Sequence, residues 1–161
     1  MHYQVRQAVS EDLPRIEEIY RVARQFMAEH GNPNQWGKTN PPTKQLQLDI
    51  EQGDLFVITD EAGIHGVFYF YIGEDPTYGV INGQWHSDTT YGTIHRIAGD
   101  GSGGILRTAV SFGKSKINYF RIDTHADNIV MQNAVAKQGF RECGIIYLPD
   151  GSPRIAYDLL V

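Results

Sequence analysis

A chain of 161 residues, 41% apolar and 20% charged, matches one globular domain spanning residues 1–161 and excludes a disordered or fibrous main state. Its 14 basic against 19 acidic side chains leave a net charge of -5 with no Lys/Arg run, so a phosphate backbone would be repelled and nucleic acid is not an expected partner. Cys143 stands alone and cannot form an internal disulfide, and neither an export leader nor an apolar run of about 18 residues is present, so the expectation is a cytoplasmic protein off the membrane.

Tyr3 to Val9 alternates loosely like a half-buried strand, and Ser10-Glu11-Asp12 then supplies a cap and first-turn acids for a helix. Leu13, Ile16, Ile19, Tyr20, Ala23 and Phe26 give that helix one apolar face, and Gly31 and Pro33 stop it. Gly31 to Pro42 reads as a loop that holds Trp36 at the surface, followed by a short helix from Thr43, as its cap, to Gln52. Leu55 to Thr59 and Ile64 to Ile72 are two β-rich runs joined by Asp60-Glu61-Ala62-Gly63, a hairpin. Asp75-Pro76 and Asn82-Gly83 mark turns, and Tyr91 to Ala98 is the fourth strand. Ile105, Leu106, Ala109, Val110 and Phe112 define an amphipathic helix, Phe120 to His125 a fifth strand, and Asp127-Asn128 the start of another helix that Gly139 ends. Cys143 to Leu148 and Arg154 to Leu160 form a closing hairpin. The fold class is mixed α/β (α+β), helices on a largely antiparallel sheet.

Gly99-Asp100-Gly101-Ser102-Gly103-Gly104 lies between a predicted strand and a predicted helix, where free backbone N–H groups and the positive helix end favour an anion. Gly99, Gly101 and Gly104 satisfy G-x-G-x-x-G with Asp123 downstream for a ribose, yet a dinucleotide fold needs further βα units that the remaining segments do not supply. A P-loop is absent, since Gly113-Lys114-Ser115 ends a helix and Thr108 stands at its first glycine. A coenzyme A pyrophosphate is the third reading.

From Thr93 to Phe140, and more loosely throughout, the chain resembles the Gcn5-related N-acetyltransferase (GNAT) family. The resemblance lies in Ile94-His95-Arg96-Ile97 before the glycine turn, Gly101-Ser102-Gly103-Gly104-Ile105 within it, Asp127-Asn128 heading the later helix, and Ala134, Lys137, Gly139 and Phe140 closing it. It implies a sheet whose fourth and fifth strands splay apart, acetyl-CoA as co-substrate, and transfer of the acetyl group to an amine by direct attack on the thioester. It also assigns roles: the Ile97 main-chain N–H to the thioester oxygen, residues 101–105 to the pyrophosphate, Asn128 and Asn133 to the pantetheine arm. Its acceptor pocket would fall near Trp36, Trp85, Tyr78 and Tyr91, for a small amine or a peptide N-terminus. Members often dimerise. Many carry a proton-donating tyrosine where this chain has Val135.

Two residues are candidates for moving protons. His95, an imidazole and so of the residue type suited to a base near neutral pH, stands two before Ile97, so strand alternation predicts one face for both. Tyr147 ends the predicted sixth strand and carries a phenol that can donate to a thiolate. His86 and His125 lack metal-ligand spacing with each other or with Cys143, so no metal is expected. A non-catalytic acyl-CoA-binding sensor is the alternative function.

Overall fold

Asp12 shows how local chemistry starts the first helix: its carboxylate accepts from the Val9 N–H at 2.9 Å and from Arg6 Nη1 at 2.7 Å. The computed structural model describes residues 2–161. It runs β1 (Gln4–Gln7), α1 (Leu13–Glu29), α2 (Thr43–Gln52), β2 (Leu55–Asp60), β3 (Gly63–Ile72), β4 (Asn82–Gly83), β5 (Gly92–Gly99), α3 (Ile105–Lys114), β6 (Tyr119–Thr124), α4 (Ile129–Lys137), β7 (Arg141–Tyr147) and β8 (Pro153–Leu160). Pro42, not Thr43, is the cap residue of α2; Thr43 is its first helical residue and donates to Glu17 instead.

The eight strands form one open sheet in the order β1-β2-β3-β5-β6-β8-β7-β4, antiparallel except where β5 meets β6. The Asn82-Gly83 pair expected to turn the chain is instead a short strand on β7. A Cβ at Gly83 would stand 2.2 Å from the Cys143 carbonyl, so glycine there permits a backbone approach that any side chain would block.

Two apolar layers cover the sheet. Ile16, Ile19, Tyr20 and Leu46 of α1 and α2 pack with Leu55, Val57, Val67 and Ala98 on one face. Leu106, Ala109 and Val110 of α3 and Val135 of α4 pack with Phe68, Ile94, Phe120 and Ile122 on the other. A third cluster of Tyr78, Tyr91, Tyr119, Ile146 and Ala156 fills the far half of the sheet.

The middle of the sheet is where regular pairing fails. β5 and β6 are in register only at Gly92 with Phe120 and Thr93 with Arg121, and beyond Thr93 they part. On its other side β5 carries a bulge: Val67 faces Ala98 and Tyr69 faces His95, so Phe68 alone opposes both Arg96 and Ile97. Arg96 has φ of 50°, the left-handed region that a residue with a Cβ rarely enters.

Candidate active site

The bulge is held from three directions. Arg96 Nη2 and Nε donate to Asp49 Oδ2 at 2.8 and 3.1 Å, its guanidinium carbon lies 4.5 Å from the Tyr69 ring centroid, and its carbonyl accepts from Tyr20 Oη at 2.5 Å. Asp49 and Tyr20 are fully buried, and burial pushes the Tyr20 phenol far above its ordinary value, so it stays a donor. Neither Arg96 nor Ile97 has a register partner in β3 or in β6, which puts both residues at the mouth of the splay. Strained backbone of this kind persists only where its surroundings over-determine it.

The bulge also overturns one expectation. His95 and Ile97 do not share a face: the extra residue breaks the alternation, so Ile97 packs against the α3–α4 layer with Ile94 while His95 opens on the α1–α2 side. There His95 borders two adjoining cavities, of about 300 and 620 Å³. The first lies between the α1–α2 loop, β5, β6 and the head of α4, with Gln35, Trp36, Ile97, Thr124 and Asn128 on its wall. The second is acidic and aromatic, bordered by Asp49, Tyr69, Tyr71, Glu74, Asp75 and Asp123.

His95 Nε2 lies 2.7 Å from Asp75 Oδ2, and a carboxylate partner makes that nitrogen the N–H donor. Nδ1 is then the free lone pair, 3.9 Å from Asp123 Oδ2. The Asp123 carboxylate in turn accepts from buried Tyr78 Oη at 2.6 Å, while Asp75 is fixed through its backbone N–H, which donates to Tyr91 Oη at 2.7 Å, and through its carboxylate, which accepts the Thr77 N–H at 2.9 Å. Burial pushes the Asp75 carboxyl up, but bonds from His95 and Thr77 outweigh it and leave it below the ordinary range, ionised beside the imidazole. Tyr69, desolvated and close to Asp54, is pushed up to about 12.

The glycine turn sits at the other end of β5. Gly104, with φ of 80°, caps α3, and the Gly103 carbonyl accepts from Tyr3 Oη at 2.9 Å. A Cβ added at Gly101 or Gly103 would meet nothing within 4 Å, so these two positions leave open space in front of the backbone. Asp100 shapes the turn by accepting the Ser102 N–H at 3.0 Å, and is itself held by His65 Nδ1 at 2.8 Å and Arg15 Nη2 at 3.0 Å. The Ile105 side chain is packing: it wedges against Gly66 and Gly99, where a Cβ would come within 2.9 Å of it, which leaves its amide as the group a ligand could use. Bare amides at a helix N-terminus beside two strands that part fit a coenzyme with a diphosphate and an extended arm.

The remaining predicted residues divide. Asn128 is 9% exposed on the cleft wall, but it caps α4 through the Met131 N–H and donates to Gln35 Oε1 at 2.9 Å, a link to the α1–α2 loop that spacing does not reveal. Asn133 is exposed on α4 and borders neither cavity. Trp36 is half-buried against Tyr20 and lines the first cavity, not held at the surface. Trp85 is elsewhere: the Arg121 guanidinium is sandwiched 4.2 Å from both the Trp85 and Tyr91 rings, a structural clamp. Tyr147 is 48% exposed and lies outside the cleft, because alternation along β7 turns it away from buried Ile146. Val135 is fully buried in the core. Asp75, Glu74 and Arg154, none singled out by motif or spacing, border the cleft.

Spacing also hides a cluster: His86, Cys143 and Asp158 bring ligand atoms within 4.8 Å of one another. Asp158 there accepts from His86 Nδ1, the His86 N–H and Tyr119 Oη, each at 2.7 Å. Burial, followed by Asp158, pushes the Cys143 thiol up to about 12, so it is no nucleophile near neutral pH.

No protein-family model matches the chain, and no curated protein does. Among solved structures, an acetyltransferase of the GNAT family from Streptococcus agalactiae is 29% identical, with 99% of this chain and 95% of that one covered and a TM-score of 0.87. The chain has the fold of the Gcn5-related N-acetyltransferase family. More distant neighbours share the GNAT fold alone. A ribosomal-protein-alanine N-acetyltransferase from Brucella melitensis is 18% identical over 98% of this chain and 99% of that one, at a TM-score of 0.66. A phosphinothricin acetyltransferase from Sinorhizobium meliloti, solved with AcCoA, is 16% identical over 100% and 89%, at 0.66. Among the described residues of this GNAT-fold protein no helix is long and apolar enough to cross a membrane.

Proposed function

We propose that this protein is an acetyltransferase which uses acetyl-CoA to acetylate an amine. The observation that carries the reading is His95, held by Asp75 at one nitrogen and free at the other, beside the strained bulge and on the wall of both cavities. The GNAT neighbours, one of them holding AcCoA, support acetyl transfer in general.

Acetyl-CoA, when bound, supplies an activated acetyl group and a thiol leaving group. The amides of residues 101–105 would hold its diphosphate and Asn128 its arm, while the N–H of Ile97, which has no register partner in β3 or β6, would donate to the thioester oxygen. The amine arrives from the acidic cavity, drawn by Asp75, Asp123 and Glu74. His95 takes its proton at Nδ1 while Nε2–H keeps the bond to Asp75, and Asp123 faces the imidazolium that results. With Val135 buried and the Tyr69 phenol near 12, the same imidazole is the group that returns the proton to the departing sulfur.

The test is calorimetry with acetyl-CoA followed by an amine panel monitored for free thiol. Thiol release that depends on the amine supports the enzyme. Coenzyme binding without turnover supports the second reading, an acyl-CoA sensor, which the apolar Val135 favours. No binding sinks both.

A further inference from the structure

Arg154 is 7% exposed, and its only side-chain hydrogen bond among the described residues runs from Nη1 to the neighbouring Pro153 carbonyl at 2.8 Å. No carboxylate forms an ion pair with it; Asp150 feels its charge, but that side chain is exposed in the β7–β8 turn and accepts from Ser152. Its remaining donors are not sealed off, since the buried unpartnered side-chain atoms among the described residues are Asn32 Oδ1, Thr93 Oγ1 and Thr124 Oγ1, so the body of the side chain is packed while its free N–H groups stay open to a ligand. Arg154 borders the first cavity together with His95 and Asp123. The register places it on their face: Asp123 is opposite Ala156, and Arg154 stands two residues before Ala156 on β8. Diagonal neighbours of this kind lie roughly 7–8 Å apart at the backbone, with side chains that reach inward to a common ligand. The cleft's other guanidinium, Arg96, is engaged by Asp49 and is not available.

We infer that Arg154 binds a carboxylate of the acceptor, so that the substrate is an amine bearing a carboxylate, an amino acid or a close analogue. The inference rests on the acetyltransferase reading and assigns the two ends of the acceptor. The ammonium sits between His95 and Asp123; the carboxylate takes the fork of Arg154, whose planar donors match it in pairs. A diamine would bring its second cation against Arg154 and is disfavoured by the same charge. The body of the acceptor extends into the acidic cavity past Tyr69 and Tyr71.

The experiment compares amino acids as free acids, as C-terminal amides and as decarboxylated amines, with acetyl-CoA, in wild type and in the Arg154→Gln and Arg154→Lys variants. The free acid should exceed its amide and its amine by about tenfold or more in kcat/KM. In Arg154→Gln that preference should collapse through KM, with Arg154→Lys between the two. Equal use of acid, amide and amine by the wild type overturns the inference whatever the variants do, so a variant that fails to fold does not decide it. Succinyl-CoA with the decarboxylated amines is the second arm; a preference for it over acetyl-CoA would assign the carboxylate to the acyl group and also overturn the inference. Should no amine be acetylated, the acetyltransferase reading fails separately. Trp36 fluorescence then reads whether free acids bind more tightly than amides, as the inference requires, or no better, which refutes it.

Discussion

His95 and His65 are both imidazoles held by aspartates at comparable distances, and they differ in what is left over. His65 is bonded at both nitrogens, to Asp100 at 2.8 Å and Asp60 at 2.7 Å, and so joins the β2–β3 turn to the glycine turn as a brace. His95 is bonded at one nitrogen only, and the other faces a cavity with Asp123 beyond hydrogen-bond range. The same pair of residue types is a brace where both valences are filled, and leaves a nitrogen free for the proposed proton transfer where one is open. For His65 the Asp100 bond first, then Asp60, pushes the pKa above 6.5.

The largest expected effect breaks the open member of the pair. His95→Gln should lower kcat by about 10²- to 10³-fold, with the dissociation constant of acetyl-CoA moving far less. A loss of kcat below about threefold would remove His95 from the chemistry.

The next tests the frame that aims it. Asp49→Ala strips the buried partner from Arg96 and should cost about 2–3 kcal/mol in a urea titration; the side chain of Arg96 is 24% exposed, which relieves part of the penalty of a fully buried pair. An unchanged midpoint would mean the bulge does not depend on that ion pair.

On the braced side, Gly103→Val should weaken acetyl-CoA binding at least about tenfold with an unchanged far-UV spectrum, because its Cβ meets only open space in front of the turn. Unchanged affinity would move the diphosphate elsewhere.

The smallest effect is on pH. His65 has a raised pKa, so its contribution to stability is complete below about 6.5 and is lost as pH rises through the higher folded value. Asp60, lowered chiefly by the His65 bond, contributes above its ordinary 3.8 and loses that as pH falls through the lower folded value. Asp100 is also lowered, its bonds from Ser102 and His65 outweighing burial, and it behaves in the same way. Melting temperature should therefore fall as pH rises above about 6.5 in wild type, and His65→Gln should flatten that slope. A slope that survives the substitution would assign it to other groups.

Much of the molecule was legible without coordinates, because periodicity and punctuation are local. The helices beginning at Leu13, Thr43 and Ile105, the hairpin around residues 60–63, the Asn128 cap and the succession of the longer strands along the chain follow from residue spacing, glycines and caps. The two-residue strand β4 was not, since Asn-Gly signals a turn and only β7, some 60 residues on, makes it a ladder. The site divides in the same way. The glycine turn and His95 can be read in one segment, whereas Asp75, Arg154 and the Asp49–Arg96 pair reach the cleft from separate elements. Trp85 and Tyr147 were misplaced because an aromatic at a plausible point in the chain carries no sign of which way it faces.

Sequence alone determined which segments become helix and strand, that a glycine-rich turn opens α3, and which family the chain resembles; each depends on neighbours a few positions away. Tertiary structure decided that β5 breaks its alternation at Arg96, that His95 therefore faces the α1–α2 side rather than sharing Ile97's, and that a guanidinium from the last strand has no carboxylate partner among the described residues. These outcomes depend on which strand lies beside which, and on burial that changes a charge's environment, neither of which is encoded at any single position.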